Sequence, residues 1–363
     1  MIDRVQLKEI DWVLTALMVA NTLAGILLIY SASADSGGGY AWKQLLWMAA
    51  GLIVFFLTIS IDYKAWMAFA PYIYALFLLF MAGLFLFGRT VSGSRSWIRI
   101  AFMGGQPSEL AKVAVLLMLA RVFSEYRAPY ASRGVIALSA GLVGVPMGLI
   151  LLQPDFGTAM CFLPILFGAL VLAGLTKKTV AAMLIGAVVL GAAGWNFFLK
   201  DYQKKRIEMM INPAQDPRGA GYHVLQSQIA IGSGGLTGKG YLKGPQSRLR
   251  FLPARHTDFI FAVLAEDFGF AGVFAVLAAY FAMLARMFSS VGLSRDRAGI
   301  YIAFLAAGLI SFQFLVNVFM IVGWLPITGI PIPLLSYGGS SLLSTYFALG
   351  LVVNVKMRRF ANV

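Results

Sequence analysis

Ten runs of apolar residues, each near the length that carries a helix across roughly 30 Å of hydrocarbon, follow one another along this chain. They lie near 12–31, 43–60, 66–88, 107–124, 134–152, 156–174, 179–199, 258–285, 299–324 and 340–356, between charged or Pro/Gly-rich punctuation. With 60% hydrophobic residues, 12% charged residues and a mean hydropathy of +0.82, the chain is too apolar to be a soluble globule. The expected fold is an all-α polytopic membrane protein of about ten transmembrane helices, forming a single membrane domain over residues 1–363. Trp12 to Tyr30 has no small-residue cleavage site and reads as a retained helix rather than a signal peptide. The net charge of +14 resides in interhelical loops, where it belongs to membrane orientation, and nucleic-acid binding drops out. Cys161 is the only cysteine and lies within an apolar run, so neither a disulfide nor zinc or redox spacing is available.

An even number of spans puts both termini on one side. If that side is cytoplasmic, it collects fourteen Lys and Arg, against Lys43, Arg89, Arg95 and Arg99 in the short outer segments. Termini inside are therefore expected. The large extracytoplasmic loop between spans 7 and 8, Lys200 to Thr257, is 58 residues long and carries ten Lys/Arg against three acids. It must cross as a domain that translocates regardless of charge, and its field should attract a polyanion at the membrane face. Pro146 and Pro164 are expected to kink their spans.

Charged residues in or at the edge of outer-facing spans are costly and so point to chemistry: Glu109, Lys112, Asp155, Asp258, Glu266 and Asp267. Asp258 follows Arg255-His256-Thr257 at the boundary, where partial desolvation would raise its pKa and the adjacent cations would oppose the rise. The alternative is that Asp258 or Thr257 merely caps the eighth span. His256 is either a tuner of that carboxylate or an interfacial residue. Glu266 lies eight residues on, about 80° around the helix and two turns deeper, and Asp267 points the other way. Glu109 follows Pro107 at a helix start, where capping and function are equally good readings; Lys112 can pair with it or meet an anionic headgroup. Arg89, Arg95 and Arg99 suit bidentate phosphate binding or, with Trp97, interfacial anchoring. The run Gly232 to Gly240, which holds Lys239, fits neither the P-loop nor G-x-G-x-x-G, leaving a flexible loop or a backbone nest for phosphate. One strong carboxylate among many cations fits a transferase acting on a sugar diphosphate, which needs a base but no acid because its leaving group departs as a stabilised anion.

These segments together resemble the SEDS family (shape, elongation, division and sporulation) of cell-wall proteins. The resemblance spans essentially the whole chain and rests on Gly93-Ser-Arg-Ser-Trp-Ile98, Pro107-Ser-Glu-Leu-Ala-Lys112, Gln153-Pro-Asp-Phe-Gly-Thr158, Gln228 to Leu236, Phe251 to Phe261 and Pro326 to Ser340. Gly329-Ile-Pro-Ile-Pro333 is closer to the elongation than to the division branch. Ala254, where an acidic residue is common, and Asp267, in place of a second Glu, are small departures. The resemblance implies a peptidoglycan glycosyltransferase of the bacterial inner membrane that polymerises lipid II with its active site outside. It works with the elongation machinery and a class B penicillin-binding protein as transpeptidase. Asp258 matches the family's catalytic aspartate, acting as base on the acceptor 4-hydroxyl; Arg95, Arg99, Lys112 and Lys239 would hold diphosphate, and Glu109 and Asp155 would support the site. His256, Thr257 and Glu266 complete the candidate substrate-binding set. No ligand spacing demonstrates a metal, although magnesium or manganese could assist the leaving group. A lipid II flippase and a noncatalytic transpeptidase scaffold are the rival readings.

Overall fold

The computed structural model describes residues 9–359 apart from 88, 92–93, 101–102, 199–200, 212–219, 250 and 253; the side chains of 36, 87, 89–91, 94–100, 103–104, 187, 190, 197–198, 201–202, 211 and 220 also lie outside the description. The chain begins with α1 (Trp12–Ser33), α2 (Gly39–Ser60) and α3 (Tyr63–Phe87), followed by a small antiparallel sheet, β1 (Arg89–Val91), β2 (Ser94–Ile100) and β3 (Met103–Gly105). It continues through α4 (Pro107–Glu125), α5 (Arg133–Leu152), α6 (Phe156–Met160), α7 (Leu163–Ala173) and α8 (Lys177–Ala193). The long loop holds α9 (Asp201–Ile211), α10 (Ala220–Gly234) and α11 (Pro245–Arg248), and the chain ends with α12 (Ile260–Leu293), α13 (Arg297–Val322) and α14 (Gly339–Met357).

Nine helical segments among the described residues are long and apolar enough to cross a membrane, with α6 and α7 forming one of them. The tenth expected span is α4, whose Glu109, Lys112, Arg121 and Glu125 lower its apolarity. It has no need to be apolar all round, because it packs against α3, α5, α7, α13 and α14 and buries nearly every residue from Ala111 to Ala120. At the opposite extreme, none of the described residues in the apolar window of α8 is buried. Pro146 sits inside a helix as expected, whereas Pro164 lies in the first turn of α7, so the sixth span is broken rather than kinked there. On the face that carries both termini, Asp11 caps α1 through Leu14 N (3.1 Å) and pairs with Arg286 (2.9 Å) and Lys356 (2.5 Å), tying α1, α12 and α14 together.

Two features of the opposite face depart from the sequence reading. The segment read as a short outer loop is the three-stranded sheet, with Arg89 opposite Trp97 and Ile98 opposite Gly105. The 58-residue loop is not a detached domain: α10 packs against α12 and α13, and α11 against α1. That docking includes a break in α12. Gly269 has φ 62° and ψ −161°, so the helix loses its own backbone bonds there. The glycine run replaces them. Lys239 N and Gly240 N donate to the carbonyls of Glu266 and Asp267 (both 3.0 Å), and Phe270 N and Ala271 N donate to those of Gly235 (2.9 Å) and Leu236 (3.0 Å). The segment is therefore neither a flexible loop nor a phosphate nest but a strap that satisfies a discontinuous helix, as buried backbone groups require. A Cβ at Gly269 would stand 2.3 Å from Gly238 N, in a backbone region that only glycine enters readily. Gly269→Ala is expected to cost roughly 2–4 kcal/mol, read as a lower thermal unfolding midpoint in detergent. An unchanged midpoint would mean that the break relaxes freely.

Candidate active site

The residue that takes the N-cap position of α12 is Phe259, without a side-chain cap bond, so the Asp258 carboxylate is not spent on capping. Its backbone is held from two directions. Asn317 Nδ2, on α13, donates to the carbonyls of Asp258 (2.9 Å) and Ile330 (2.6 Å), joining the turn to the chain between α13 and α14. Ser336 Oγ donates to Thr257 O (2.7 Å) and Tyr337 N to His256 O (2.9 Å). Gln44 of α2 fixes that returning chain in turn, donating to Ser336 O (3.2 Å) and accepting from Gly338 N (3.2 Å).

The segment 323–338 is pressed into the bundle. A Cβ at Gly157 would come within 2.1 Å of Thr328 O, and one at Gly25 within 2.6 Å of Leu334 O, so only glycine permits either approach. Gly329, at φ 71°, carries the chain past the carboxylate, with its Cβ direction 3.8 Å from Asp258 Oδ2. Buried backbone of irregular shape is tolerated because protein satisfies it; Tyr280, for instance, donates to Pro333 O (3.1 Å).

Burial pushes the Asp258 carboxyl up to about 6, aided by the charge of Asp155 and opposed by a Thr257 hydrogen bond and the Arg206 guanidinium. Arg206, from α9, also donates to Ile327 O (3.0 Å). Asp155 caps α6, accepting from Thr158 N (3.1 Å) and Thr158 Oγ1 (2.9 Å), and takes a third bond from Gln106 Nε2 (2.9 Å). Burial and the Glu109 charge raise its pKa, against the Thr158 bonds and Lys112. Gln106 N donates to Ser340 Oγ (2.9 Å), linking the start of α4 to that of α14. One turn along α4, Lys112 Nζ pairs with Glu109 Oε1 at 2.8 Å, the two side chains being 2% and 5% exposed. Ser344 Oγ adds a bond to Glu109 (3.4 Å). Arg206, Asp258, Asp155 and Lys112 thus form an electrostatically connected series, two neighbouring carboxylates with a cation at each end.

The remaining sequence candidates divide. His256 stacks on Tyr40 (ring centroids 4.3 Å apart) and meets the edge of Tyr337; burial and Arg255 lower its pKa, so it is a neutral packing ring at pH 7. Arg255 is buried against Asp35 (2.5 Å). Glu266 departs from the reading as a substrate contact. It is fully buried, accepts from Gln246 N (2.8 Å), Ser247 N (3.0 Å) and Ser247 Oγ (2.7 Å), and has Lys239 Nζ at 4.0 Å. Glu266 is committed to docking the loop, because a carboxylate buried at a helix break needs donors and the loop supplies them; Lys239 joins the strap through its backbone N, and its side chain stays a third exposed. Arg95 and Arg99 are on β2, and their side chains lie outside the described residues. Arg206, Asn317 and Gln106 were not legible as site residues: none is near Asp258 in sequence, and the helix start at Gln106-Pro107-Ser108-Glu109 points to Glu109 rather than to the glutamine.

Over residues 11–360 the chain matches the FtsW/RodA/SpoVE family of cell cycle proteins. It is 36% identical over 358 residues to the peptidoglycan glycosyltransferase MrdB of Escherichia coli, an alignment covering 97% of this chain and 94% of that protein. A solved chain from a peptidoglycan synthase complex, described for its structural coordination of polymerization and crosslinking, superposes with a TM-score of 0.85 at 33% identity, covering 97% of this chain and 99% of that one. The rod shape determining protein RodA of Thermus thermophilus superposes with a TM-score of 0.73 at 30% identity, covering 97% and 98%.

Proposed function

The chain belongs to the FtsW/RodA/SpoVE (SEDS) family and is a peptidoglycan glycosyltransferase; from that premise we propose that it polymerises lipid II into β-1,4 glycan strands during cell elongation and rod-shape maintenance. The observation that carries the mechanism is the half-buried Asp258 carboxylate, not spent on capping its helix, with its pKa pushed up by burial to about 6 and the Arg206 guanidinium acting on it. It accepts the proton of the acceptor sugar 4-hydroxyl as that oxygen attacks the anomeric carbon of the lipid-linked donor from the opposite face. The bond from that carbon to the diphosphate breaks, undecaprenyl diphosphate leaves, and the configuration inverts. A departing anion needs cations rather than an acid, a role suited to Arg206 and Lys112 and, from the sheet, Arg95 and Arg99. Among the described residues no group of three or more His, Cys, Asp or Glu could hold a metal ion. A magnesium or manganese ion here would therefore rest on Asp258 or Asp155 together with the substrate's own phosphates.

The placement follows the same reading: one membrane domain over 1–363 in a bacterial inner membrane, termini cytoplasmic, with the Asp258 face outside. The partner chemistry is that of a class B penicillin-binding protein within the elongation machinery, supported by the likeness to a chain of a peptidoglycan synthase complex. Purified protein, alone and with such a partner, is expected to convert lipid II into polymer. Transfer of lipid II between leaflets with no polymer under either condition would replace the enzyme reading with a flippase.

A further inference from the structure

At the other end of the molecule, on the face that carries both termini, a cleft of about 530 Å³ opens between the last turn of α4 and the start of α13. Ser124, Arg127, Asp296, Arg297 and Ala298 line it, and none of them takes part in the site around Asp258. Because the cleft lies where two spanning helices end, it is at the level of lipid headgroups rather than acyl chains. It is an open cleft with room for a small polar group.

The charges in the cleft are of both signs. Arg297 donates to Tyr126 O, which leaves most of its five N–H groups for other partners, and Arg127 is exposed beside it. The Asp296 carboxylate turns Oδ1 to its own helix start, accepting from Gly299 N (3.1 Å) and Ser294 Oγ (3.3 Å), while Oδ2 accepts from Tyr63 OH (2.9 Å). A carboxylate offers about four acceptor positions, so Oδ2 retains capacity on the cleft side. Ser124 Oγ donates to Arg121 O (2.8 Å), which keeps its lone pairs available. Two guanidinium groups beside a carboxylate and a hydroxyl acceptor match a zwitterion whose phosphate and primary ammonium are a few bonds apart.

We propose that this cleft binds the phosphoethanolamine headgroup of a membrane aminophospholipid, with its phosphodiester on Arg127 and Arg297 and its ammonium on Asp296 and Ser124. A phosphoglycerol headgroup offers Asp296 only neutral hydroxyl donors and no compensating charge, and a trimethylated ammonium has no N–H to donate. Native mass spectrometry of the full-length protein, incubated with chain-matched phosphatidylethanolamine, phosphatidylcholine and phosphatidylglycerol, tests this. Wild type is expected to retain phosphatidylethanolamine about tenfold better than either other lipid, the size of one charge-assisted hydrogen bond. Asp296→Asn keeps a good helix cap but loses the anion, and should erase the preference over phosphatidylcholine. Arg127→Gln should weaken both phosphatidylethanolamine and phosphatidylcholine about tenfold. Each variant is used at an unfolding midpoint matching wild type. Equal retention of phosphatidylglycerol, or unchanged retention by both variants, overturns the proposal. Acyl-free glycerophosphoethanolamine competing at equal concentration would reassign the cleft to a soluble compound and overturn the lipid.

Discussion

Asp258→Asn is expected to remove lipid II polymerisation almost entirely, by about 10²- to 10⁴-fold in kcat/KM, while the protein folds and inserts as wild type. The amide is isosteric and the backbone bonds from Asn317 and Ser336 do not involve the side chain, so shape survives and only proton acceptance is lost. The wild-type pH profile should report the same group. With its pKa pushed up to about 6, Asp258 is protonated below that pH and cannot act as base, so kcat/KM should climb as pH rises through about 6 and level off above. The variant should lack that limb. Stability runs the other way. A carboxyl whose pKa rises from 3.8 to about 6 on folding makes the folded state the better proton binder, so stability declines as pH rises through that interval. At neutral pH the ionised group costs up to about 3 kcal/mol, and Asp258→Asn should melt no lower than wild type and preferably higher. Full polymerising activity in a well-folded Asp258→Asn protein would remove the base from the mechanism.

Lys112→Met should lower stability by about 3–5 kcal/mol, because it leaves the Glu109 carboxylate buried and unpaired. Glu109→Gln should do comparable damage by stranding the ammonium. The double variant Glu109→Gln/Lys112→Met is expected to recover more than half of the loss in thermal unfolding, since replacing both members of a buried pair is often close to neutral. Activity separates structure from substrate binding. If Lys112 holds the diphosphate, the double variant is stable again yet still polymerises poorly. Recovery of both stability and polymerisation would make the pair a packing device and take Lys112 out of the site.

The spans were legible because crossing hydrocarbon demands apolar length, a property local to each stretch. Even α4 was found, despite four charges, since Pro107 marks its start. Asp258 was legible for a related reason: a carboxylate at the edge of a span stands out where charge is costly. What escaped was tertiary. Glu266 read as a substrate contact because helix geometry puts it on the Asp258 face, whereas the groups that bind it, Gln246 and Ser247, are remote in sequence. The glycine run read as a nest because its hydrogen-bond partners, 266–271, are remote in sequence. Arg206 and Asn317 approach Asp258 from other helices, and no spacing rule connects residues that only packing brings together. The sheet at 89–105 was hidden because short, serine-rich strands with few large apolar side chains carry little alternation.

The strap across the break in α12 also sets an order of assembly. Residues 234–240 leave the ribosome before 266–271, the stretch whose backbone they complete. A nascent α12 folding without them would leave those amides and carbonyls without the partners they have when buried, at about 1–3 kcal/mol each. In the proposed orientation, with this face outside, the first third of the helix can settle only once the preceding loop has been exported, so translocation of a strongly basic segment would be a checkpoint for the remaining three spans during biogenesis.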